Sequence, residues 1–267
     1  MHSLLMHEAR VHAIGGRDLR DLGDAILLHD AVEQEPFWNR LEGLQWPDAP
    51  DAFDRRLTEA LVLFAAIGRT PHVWASPLHD APTDLVKRLE ANGFRDLGAS
   101  YVMLLTDPAI ATDLAQAPAP ADVTIERLSV VDPTAIDAAA TAVVSVLLDA
   151  FDVGSDRRTG IEGETAASLG HPWFTHYLAR IDGVPAAAAR RATFDGASYL
   201  SSIGTASWAR GRGLGSLVTR AAAADAVAAG SRWTYLGVFS DNSTAIGIYE
   251  RAGFSQLGGP APDLLLV

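Results

Sequence analysis

Residues 199–216 run from a strand-like segment through a glycine-rich turn into a helix, and no other stretch constrains the fold of this chain as strongly. The first turn of a helix leaves backbone N–H groups without partners, and the helix dipole adds partial positive charge at that end. Gly211, Gly213 and Gly215 remove the side chains that would keep an anion away from these groups. The stretch therefore predicts a phosphate-binding turn at a helix N-terminus.

The residues around the turn support this prediction. Arg210 and Arg212 supply fixed positive charge beside the glycines. After the turn, apolar residues recur at the spacing of one helix face, which indicates that the helix is anchored in a core. These apolar residues are Leu214, Leu217, Val218 and Ala221.

Two common nucleotide-binding turns do not fit the sequence. A dinucleotide fingerprint requires Gly-x-Gly-x-x-Gly or Ala, and Ser216 takes the last position. That fold also requires most of a doubly wound sheet after the turn, whereas only about fifty residues follow, well short of a domain. A Walker-type loop requires a lysine after its last glycine, and the only lysine of the chain is Lys87.

The pattern that fits is Arg-x-x-Gly-x-Gly, followed about thirty residues later by Asn-x-x-Ala-x-x-x-Tyr-x-x-x-Gly-Phe. The first part consists of Arg210, Gly213 and Gly215, after a strand that ends near Thr205. Together the two parts resemble the GNAT superfamily of N-acyltransferases, which use acyl-coenzyme A, and the resemblance covers roughly residues 122–267. The second part consists of Asn242, Ala245, Tyr249, Gly253 and Phe254.

The resemblance implies an α/β fold of the α+β type, the GNAT-like acyl-CoA N-acyltransferase fold, in which helices cover both faces of a mixed central sheet. It implies acetyl-CoA as co-substrate, with the pantetheine arm between two splayed strands and bound to the backbone of Ile203, Gly204 and Thr205. Thr205 stands where valine is common in the family, and Ser207 where proline is common. The residues implied to bind the diphosphate are Arg210, Gly211, Arg212, Gly213, Leu214, Gly215 and Ser216.

Tyr249 is the residue to which the motif assigns protonation of the coenzyme A thiolate. Asn242, Ala245 and Tyr249 are spaced to share one helix face, where alanine leaves room for the cofactor and asparagine offers it an amide. A second interpretation makes Tyr249 a core aromatic whose hydroxyl meets a backbone carbonyl. A backbone N–H on the strand before the glycines is expected to polarise the thioester carbonyl.

The sequence does not identify the general base. An amine with a pKa of about 10.4 is almost fully protonated at pH 7, so a base, or a water chain leading to one, is expected. The density of acids near the expected acceptor pocket supports the hypothesis of a cationic acceptor, such as a small amine or a peptide amino group. A solvated loop or a satisfied core position is the more common role for each candidate. The candidates are His171, His176, Asp149, Asp152, Asp156, Glu162 and Glu164.

A helix, a strand and a helix that ends in Gly-Phe occur twice along the chain. In the first copy the two helices end at Gly68 and Gly93, and in the second they end at Gly230 and Gly253, with nearly the same spacing. This indicates two copies of one supersecondary unit. A chain of alternating helices and strands without a true repeat is the alternative.

An Ala/Pro-rich stretch at residues 115–121 predicts a stiff linker between the two copies. We therefore expect a tandem architecture, with a degenerate GNAT-like domain at 1–120 and a GNAT N-acetyltransferase domain at 121–267. The first copy has no Arg-x-x-Gly-x-Gly before its helix, so it is expected to bind no cofactor.

The second copy contains the signal for an antiparallel meander ahead of the glycine turn. Strands are predicted at 173–180, 184–193 and 197–205, and Asp-Gly pairs join them at 182–183 and 195–196. Asp-Gly between two strand-like segments is a strong hairpin signal. Such a meander delivers the chain to the phosphate-binding turn, as the implied fold requires.

Composition narrows the chemistry and the partners. The sequence has no cysteine, which excludes disulfides, thiolate metal sites and a cysteine acyl-enzyme, so direct transfer is expected and no metal is predicted. A net charge of −12 argues against nucleic acid as a partner. The longest mostly apolar run, at 138–148, is too short for a membrane span, and we expect a cytoplasmic location with no membrane partner.

These observations predict an N-acetyltransferase that passes an acetyl group from acetyl-CoA directly to an amine acceptor. A non-catalytic acyl-CoA-binding regulatory module is the alternative, since it would keep the same cofactor-binding turn. The sequence does not specify the acceptor, the acyl-chain preference or the oligomeric state.

Overall fold

The structure is a computed structural model that describes residues 2–116, 118–129, 131–154 and 157–267. Asp156, one of the candidate bases, lies outside the described residues. The chain forms two compact units, and neither is continuous in sequence. The first unit consists of Met1–Val102, Val238–Asp241 and Leu257–Val267, and the second of Met103–Gly237 and Asn242–Gln256.

The first unit is built on a six-stranded mixed sheet. In their order across the sheet, its strands are β1 (Asp18–Asp21), β2 (Ile26–His29), β3 (Arg40–Glu42), β4 (His72–Trp74), β13 (Asp263–Leu266) and β5 (Phe94–Asp96). Strands β3 and β4 run parallel, and the other neighbouring strands run antiparallel. The helices of this unit are α1 (His2–His12), α2 (Pro50–Ala66) and α3 (Leu85–Ala91).

Helix α2 shows how the local sequence forms the core of the first unit. It begins with Pro50, which suits the first turn of a helix, and it is followed by Gly68 with a φ of +65°. Its buried side chains recur every three or four residues and pack against Leu41 and Val73 of the sheet. These side chains are Phe53, Leu57, Ala60 and Phe64.

The second unit is built on a seven-stranded mixed sheet. In their order across the sheet, its strands are β12 (Phe254–Gln256), β6 (Ser100–Leu105), β11 (Trp233–Phe239), β10 (Ala197–Thr205), β9 (Val184–Phe194), β8 (Phe174–Ile181) and β7 (Val123–Ser129). Strands β10 and β11 run parallel, whereas β7 to β10 are antiparallel neighbours. The helices of this unit are α4 (Pro108–Ala115), α5 (Ile136–Ala150), α6 (Arg158–Leu169), α7 (Leu214–Ala228) and α8 (Ser243–Arg251).

Helices cover both faces of the seven-stranded sheet, as predicted. Successive residues of a strand point to opposite faces, and Tyr177 and Leu178 of β8 show where the helices lie. Leu178 packs against Val143 and Leu147 of α5. Tyr177 donates a hydrogen bond of 2.9 Å from its hydroxyl to Asp225 of α7. The two helices therefore lie on opposite sides of the sheet.

The predicted meander is confirmed, and its turns have the expected conformation. Strands β8, β9 and β10 pair antiparallel in sequence order. Asp182 and Gly183 have φ values of +47° and +82°, and Asp195 and Gly196 have +48° and +74°. Two consecutive positive φ values are typical of the tight hairpin turns that match strand twist.

In two sequence-continuous domains, the last strand of each copy would stay in the sheet of its own copy. The structure has a different arrangement. Strand β13, at the end of the chain, lies between β4 and β5, and β6 lies between β11 and β12. Strands join a sheet through backbone hydrogen bonds, so nearness in sequence does not decide which sheet they enter. The division at residue 120 stays a prediction.

The predicted repeat is confirmed at the level of elements and turns. Helix α2, β4, α3 and β5 follow one another as α7, β11, α8 and β12 do. Gly68 and Gly230 follow the first helices with φ values of +65° and +73°, and Gly93 and Gly253 follow the second helices with +94° and +92°. Corresponding glycines thus have the same left-handed conformation.

The helices of the described residues have ordinary lengths. The longest of them, α2, has 17 residues. None of the described helices is both long enough and apolar enough to cross a membrane.

Gly253 should tolerate substitution less well than Gly230. Both have positive φ, which costs an alanine about 1–2 kcal/mol, but a Cβ on Gly253 would also overlap the carbonyl oxygen of Asp107. A Cβ on Gly230 would have no heavy atom within 4 Å. We expect Gly253→Ala to lower the free energy of unfolding by about 1–3 kcal/mol more than Gly230→Ala does, measured by urea denaturation. Equal losses would contradict the close approach of Asp107.

Candidate functional site

The two parallel strands β10 and β11 part before β10 ends. Their described pairing runs from Ala197 with Trp233 to Leu200 with Leu236. Strand β10 continues to Thr205, where it pairs with Ala187 of β9 on its other side. Beyond Leu200, the β10 backbone therefore presents hydrogen-bonding groups that this ladder does not use.

A β-bulge lies where the strands part. The pairing of β10 with β9 changes register between Ser201 and Gly204. Within the bulge, Ser202 has a φ of +52°, which is uncommon for a residue other than glycine. Bulges bend a strand and redirect its side chains, and they are frequent next to functional sites. Ile203, Gly204 and Thr205, the residues predicted to bind the pantetheine arm, follow the bulge directly.

The glycine turn has the conformation that a phosphate-binding turn needs. Gly211 and Gly213 have φ values of +79° and +76°, and Gly213 is the N-cap of α7. A Cβ on either residue would have no heavy atom within 4 Å, so the space above the turn is open. Leu214 is buried and fixes the start of the helix. A Cβ on Gly215 would lie 3.1 Å from Oγ1 of Thr205, so glycine lets the helix pack close to β10.

The two arginines of the turn have neighbouring partners in the second unit. Arg210 donates a 3.1 Å hydrogen bond from Nη2 to the carbonyl oxygen of Ala150. Arg212 forms a 2.6 Å ion pair with Asp122, which holds the pKa of that carboxyl below its usual value. Both side chains of this ion pair are 39% exposed, and exposed pairs contribute little to stability. A guanidinium carries five donors, so each arginine keeps donors for an anion.

Asn242 lies just before α8 and caps it. Its Oδ1 accepts a 3.1 Å hydrogen bond from the backbone N–H of Ala245. Asn242 is therefore the N-cap residue, directly before the first helical residue, Ser243, and the shared face with Ala245 and Tyr249 stays a prediction. An asparagine N-cap stabilises a helix by about 1 kcal/mol. Cofactor binding by Asn242 stays a prediction, and the capping bond does not use its Nδ2 amide.

Tyr249 is buried in α8 and has a free hydroxyl. The side chain is 6% exposed, and its ring lies 6.4 Å from that of Phe254 in an edge-to-face arrangement. Burial raises the pKa of Tyr249 to about 12, so the hydroxyl keeps its proton at neutral pH. Burial is the only cause of this shift, and no hydrogen bond from the hydroxyl to a backbone carbonyl is found among the described residues.

His176 is a core residue of β8 and is unsuited to be the base. It is buried, and burial together with the nearby charge of Arg190 lowers its pKa to about 3. Its Nε2 lies 2.8 Å from Oγ of Ser168, whose own hydroxyl donates to the carbonyl oxygen of Thr165. The imidazole therefore carries its proton on Nε2 and donates it to Ser168.

Most of the candidate carboxylates have partners. Glu162 pairs with Arg158 at 3.1 Å, and Glu164 pairs with Arg190 at 3.0 Å. Asp149 accepts hydrogen bonds from Ser207. These partners offset the acidic charge locally, which weakens the argument for a cationic acceptor.

The remaining candidates lie in loops. His171 accepts a 3.2 Å hydrogen bond at Nδ1 from the backbone N–H of Trp173, and the two rings are in contact. Asp152 is exposed and has a φ of +52°. In the part of the chain that the structure describes, no three His, Cys, Asp or Glu side chains are grouped to hold a metal ion.

Sequence reasoning missed a buried arginine beside the bulge. Arg190 of β9 donates a 3.1 Å hydrogen bond from Nε to Oγ of Ser201, and its Nη1 pairs with Glu164. The available signal was the pair Arg190-Arg191, which interrupts a run of alanines in a strand. Buried arginine is rare unless it is paired, so this position marks a specific polar contact.

In the first unit, the segment after β3 remains paired instead of opening. Gln45 forms a parallel bridge with Ala81. The N–H of Ala81 donates to the carbonyl oxygen of Leu44, and the N–H of Trp46 donates to the carbonyl oxygen of Ala81. Helix α2 then begins with an acidic residue, Asp51, in its first turn, which disfavours an anion.

The comparisons with known proteins agree with the geometry of the second unit. The sequence model of the acetyltransferase (GNAT) family matches residues 142–254, which include the meander, the glycine turn and Tyr249. The chain carries a GNAT domain. No curated protein sequence matches the chain.

Solved structures extend the similarity to nearly the whole chain. A GCN5-related N-acetyltransferase from Kribbella flavida is 23% identical with a TM-score of 0.68, over 96% of this chain and 94% of that one. A functionally unknown conserved protein from Staphylococcus epidermidis is 12% identical with a TM-score of 0.67, over 94% of each chain. A tandem GNAT protein from the clavulanic acid biosynthesis pathway is 16% identical with a TM-score of 0.62, over 96% of this chain and 86% of that one.

Together these similarities show a tandem GNAT fold, in which the GNAT domain matched by the family model is one of two copies. The GNAT family comprises acetyltransferases, and the domain therefore indicates acyl transfer from acyl-CoA.

Because His176 is buried and neutral, the free energy of unfolding should depend on pH. Below pH 6.5 the unfolded chain binds a proton that the folded chain excludes until about pH 3, so stability is lost as pH falls through this window. The loss is at most about 1.4 kcal/mol per pH unit. We expect His176→Asn to flatten the decline between pH 6.5 and 4, measured by urea denaturation at each pH. Ser168→Ala keeps the imidazole and should keep the wild-type slope.

Proposed function

We propose that the GNAT domain is an N-acetyltransferase, which transfers the acetyl group of acetyl-CoA directly to an amine acceptor, either a small amine or a peptide amino group. The observation that carries this proposal is the parting of β10 from β11 directly before the glycine turn. Free backbone groups at 201–205 are followed within a few residues by the open N-terminus of α7. An extended arm that ends in a diphosphate requires this succession.

The cofactor would be held mainly by backbone groups. Ile203, Gly204 and Thr205 offer the unpaired side of β10 to the amides of the pantetheine arm. The backbone N–H groups of residues 211–216 surround the start of α7, where the diphosphate would lie. Arg210 and Arg212 add charge at a small cost, since their present partners are neutral or exposed. The net charge of −12 makes such local capture necessary.

The transfer joins the acceptor nitrogen to the thioester carbon and breaks the C–S bond. A backbone N–H of the β10 segment polarises the carbonyl oxygen while the amine attacks. The amine gives one proton to a base or to water, and the thiolate of coenzyme A gains one. Because the chain has no cysteine, no cysteine acyl-enzyme takes part, which favours a single direct transfer.

Tyr249 is assigned as the proton donor to the departing thiolate. Its hydroxyl is protonated and makes no hydrogen bond among the described residues, so it can donate to the sulfur. A thiol has a usual pKa of about 8.5, which makes the phenol the weaker acid. The hydrogen bond therefore stabilises the sulfur as negative charge develops. If the phenol proton moves to the sulfur, the proton that the amine releases through the base or water restores the phenol, so the transfer balances.

We assign the cofactor to the GNAT domain alone. In the first unit, the backbone groups of residues 44–46 form hydrogen bonds with Ala81. The corresponding part of β10 in the second unit is not paired with β11. The helix that follows begins with Pro50 and has an acidic residue, Asp51, in its first turn, in place of the glycine turn.

An amine panel tests the function. Small amines and peptides with free amino groups are incubated with acetyl-CoA, and the release of free thiol is recorded. Thiol release that depends on one class of amine supports the proposal. Coenzyme A binding without turnover on any amine would indicate a non-catalytic acyl-CoA-binding module instead.

Tyr249→Phe should lower kcat by roughly a hundredfold, because it removes the proton donor and leaves the ring in place. The KM for acetyl-CoA should change little. Since the pKa of Tyr249 is about 12, the wild-type rate should show no inflection from this residue between pH 6 and 9. A variant that keeps the wild-type rate across this range would remove the assigned role.

Arg210→Ala should raise the KM for acetyl-CoA about tenfold, because a charge-assisted hydrogen bond to the diphosphate is lost. Arg232→Ala, which removes a charge beyond the other end of α7, serves as the control and should leave the KM unchanged. Initial rates at varied acetyl-CoA measure both. An unchanged KM in Arg210→Ala would exclude Arg210 from cofactor binding.

A further inference from the structure

The last residues of α5 are hydrogen-bonded to the segment that leads from β10 into the glycine turn. Asp149 accepts hydrogen bonds from both the backbone N–H and the hydroxyl of Ser207, the latter at 2.9 Å. The backbone bond, followed by the hydroxyl bond, holds the pKa of Asp149 below its usual value, so the carboxylate is charged at neutral pH. Ser207 lies in a short 3₁₀ turn between β10 and the glycines.

The residue at 207 decides whether this attachment can form. Proline is common there in the family, and proline has neither a backbone N–H nor a hydroxyl. Serine supplies both donors to one carboxylate. The departure from the family pattern and the carboxylate of Asp149 therefore form one feature of this chain.

Ala150, the last residue of α5, lies against the β10 segment that is predicted to bind the pantetheine arm. Its carbonyl oxygen accepts the hydrogen bond from Arg210. A Cβ placed on Gly204 would lie 2.8 Å from the Cβ of Ala150, a distance that real Cβ atoms do not reach. Glycine at 204 thus allows α5 to end directly beside the strand that is predicted to bind the arm.

Phe151 follows and leaves an apolar ring uncovered at this place. Its Cε2 and Cζ atoms lie 3.5 and 3.6 Å from the position of a Cβ on Gly204. The residue is nevertheless 54% exposed, although its ring lies beside Gly204 of β10. A ligand that covers a half-exposed apolar ring removes apolar surface from water, which favours binding.

We propose that residues 149–151 form a second wall of the coenzyme groove, in which Phe151 packs against the pantetheine arm and Asp149 positions the turn through Ser207. This proposal rests on the proposed function, because the β10 segment places the arm. The pantetheine arm is apolar along its gem-dimethyl and methylene groups, so it can cover the exposed ring of Phe151. Phe151 is thus a binding residue, and Asp149 is a positioning residue.

The first experiment compares two ligands, one with the pantetheine arm and one without it. Coenzyme A contains the pantetheine arm, and 3′-phosphoadenosine 5′-diphosphate does not. We expect Phe151→Ala to weaken the binding of coenzyme A about tenfold, through lost apolar contact, and to leave the binding of the nucleotide unchanged by calorimetry. Trp233→Ala removes a partly exposed aromatic at the paired end of β11 and should change neither.

Two outcomes would overturn the contact of Phe151 with the arm. One is coenzyme A binding by Phe151→Ala that equals the wild type. The other is an equal loss for both ligands. Should Phe151→Ala fail to fold, Phe151→Leu decides in its place, with an expected loss of about threefold for coenzyme A only, and binding equal to the wild type overturns the contact.

The second experiment tests the positioning role of Asp149. Ser207→Pro removes both donors, and Ser207→Ala keeps the backbone N–H. We expect Ser207→Pro and Asp149→Ala to raise the KM for acetyl-CoA about fivefold to tenfold, with kcat and melting temperature close to wild type, and Ser207→Ala to have a smaller effect. A lowered melting temperature with an unchanged KM would make the contact merely structural and overturn the role.

The failures of the two proposals are distinguishable. A wild-type protein that does not bind coenzyme A would remove the proposed function, and this wall with it. A wild-type protein that binds coenzyme A and acetylates an amine, beside Phe151 and Asp149 variants with wild-type constants, would remove only the wall.

Discussion

The loss of pairing between β10 and β11 after Leu200 and Leu236 is the constraint on which the candidate site depends. A sheet normally uses every backbone N–H and C=O group, and groups left unpaired need another partner. The bulge between Ser201 and Gly204, with Ser202 at positive φ, bends β10 while β9 continues to support its other edge. The candidate site is thus an interruption in the pairing of β10 with β11, and under the proposed function the backbone would do most of the recognition.

Small residues then determine how closely other elements can approach this interruption. Gly204 lets the end of α5 reach the strand, and Gly215 lets the first turn of α7 pack against Thr205. Gly211 and Gly213 have a different task, because their positive φ values shape the turn and keep the space above it open. Glycine is therefore used for close packing at two positions and for conformation at two others, although all four look alike in the sequence.

The two copies of the supersecondary unit show that the same elements need not form the same site. Both have a strand, a helix and a second parallel strand in this order, and both end their helices with glycines of matching conformation. In the first unit the segment after β3 is paired by the bridge between Gln45 and Ala81, and Pro50 and Asp51 begin the helix where glycines stand in the other copy. The same succession of elements therefore has a different local pairing and a different helix start in the two units.

The sequence by itself determined the meander, its Asp-Gly turns, the repeat and the glycine turn, because each depends on local conformational preference or on the period of apolar residues. It did not determine that β6 and β13 enter sheets far from their neighbours in sequence, since backbone pairing carries little sequence signal. Nor did it reveal the capping role of Asn242, the neutral burial of His176 or the attachment of Asp149 to Ser207. Those features depend on which groups are brought together and withdrawn from water, and only the tertiary structure decides that.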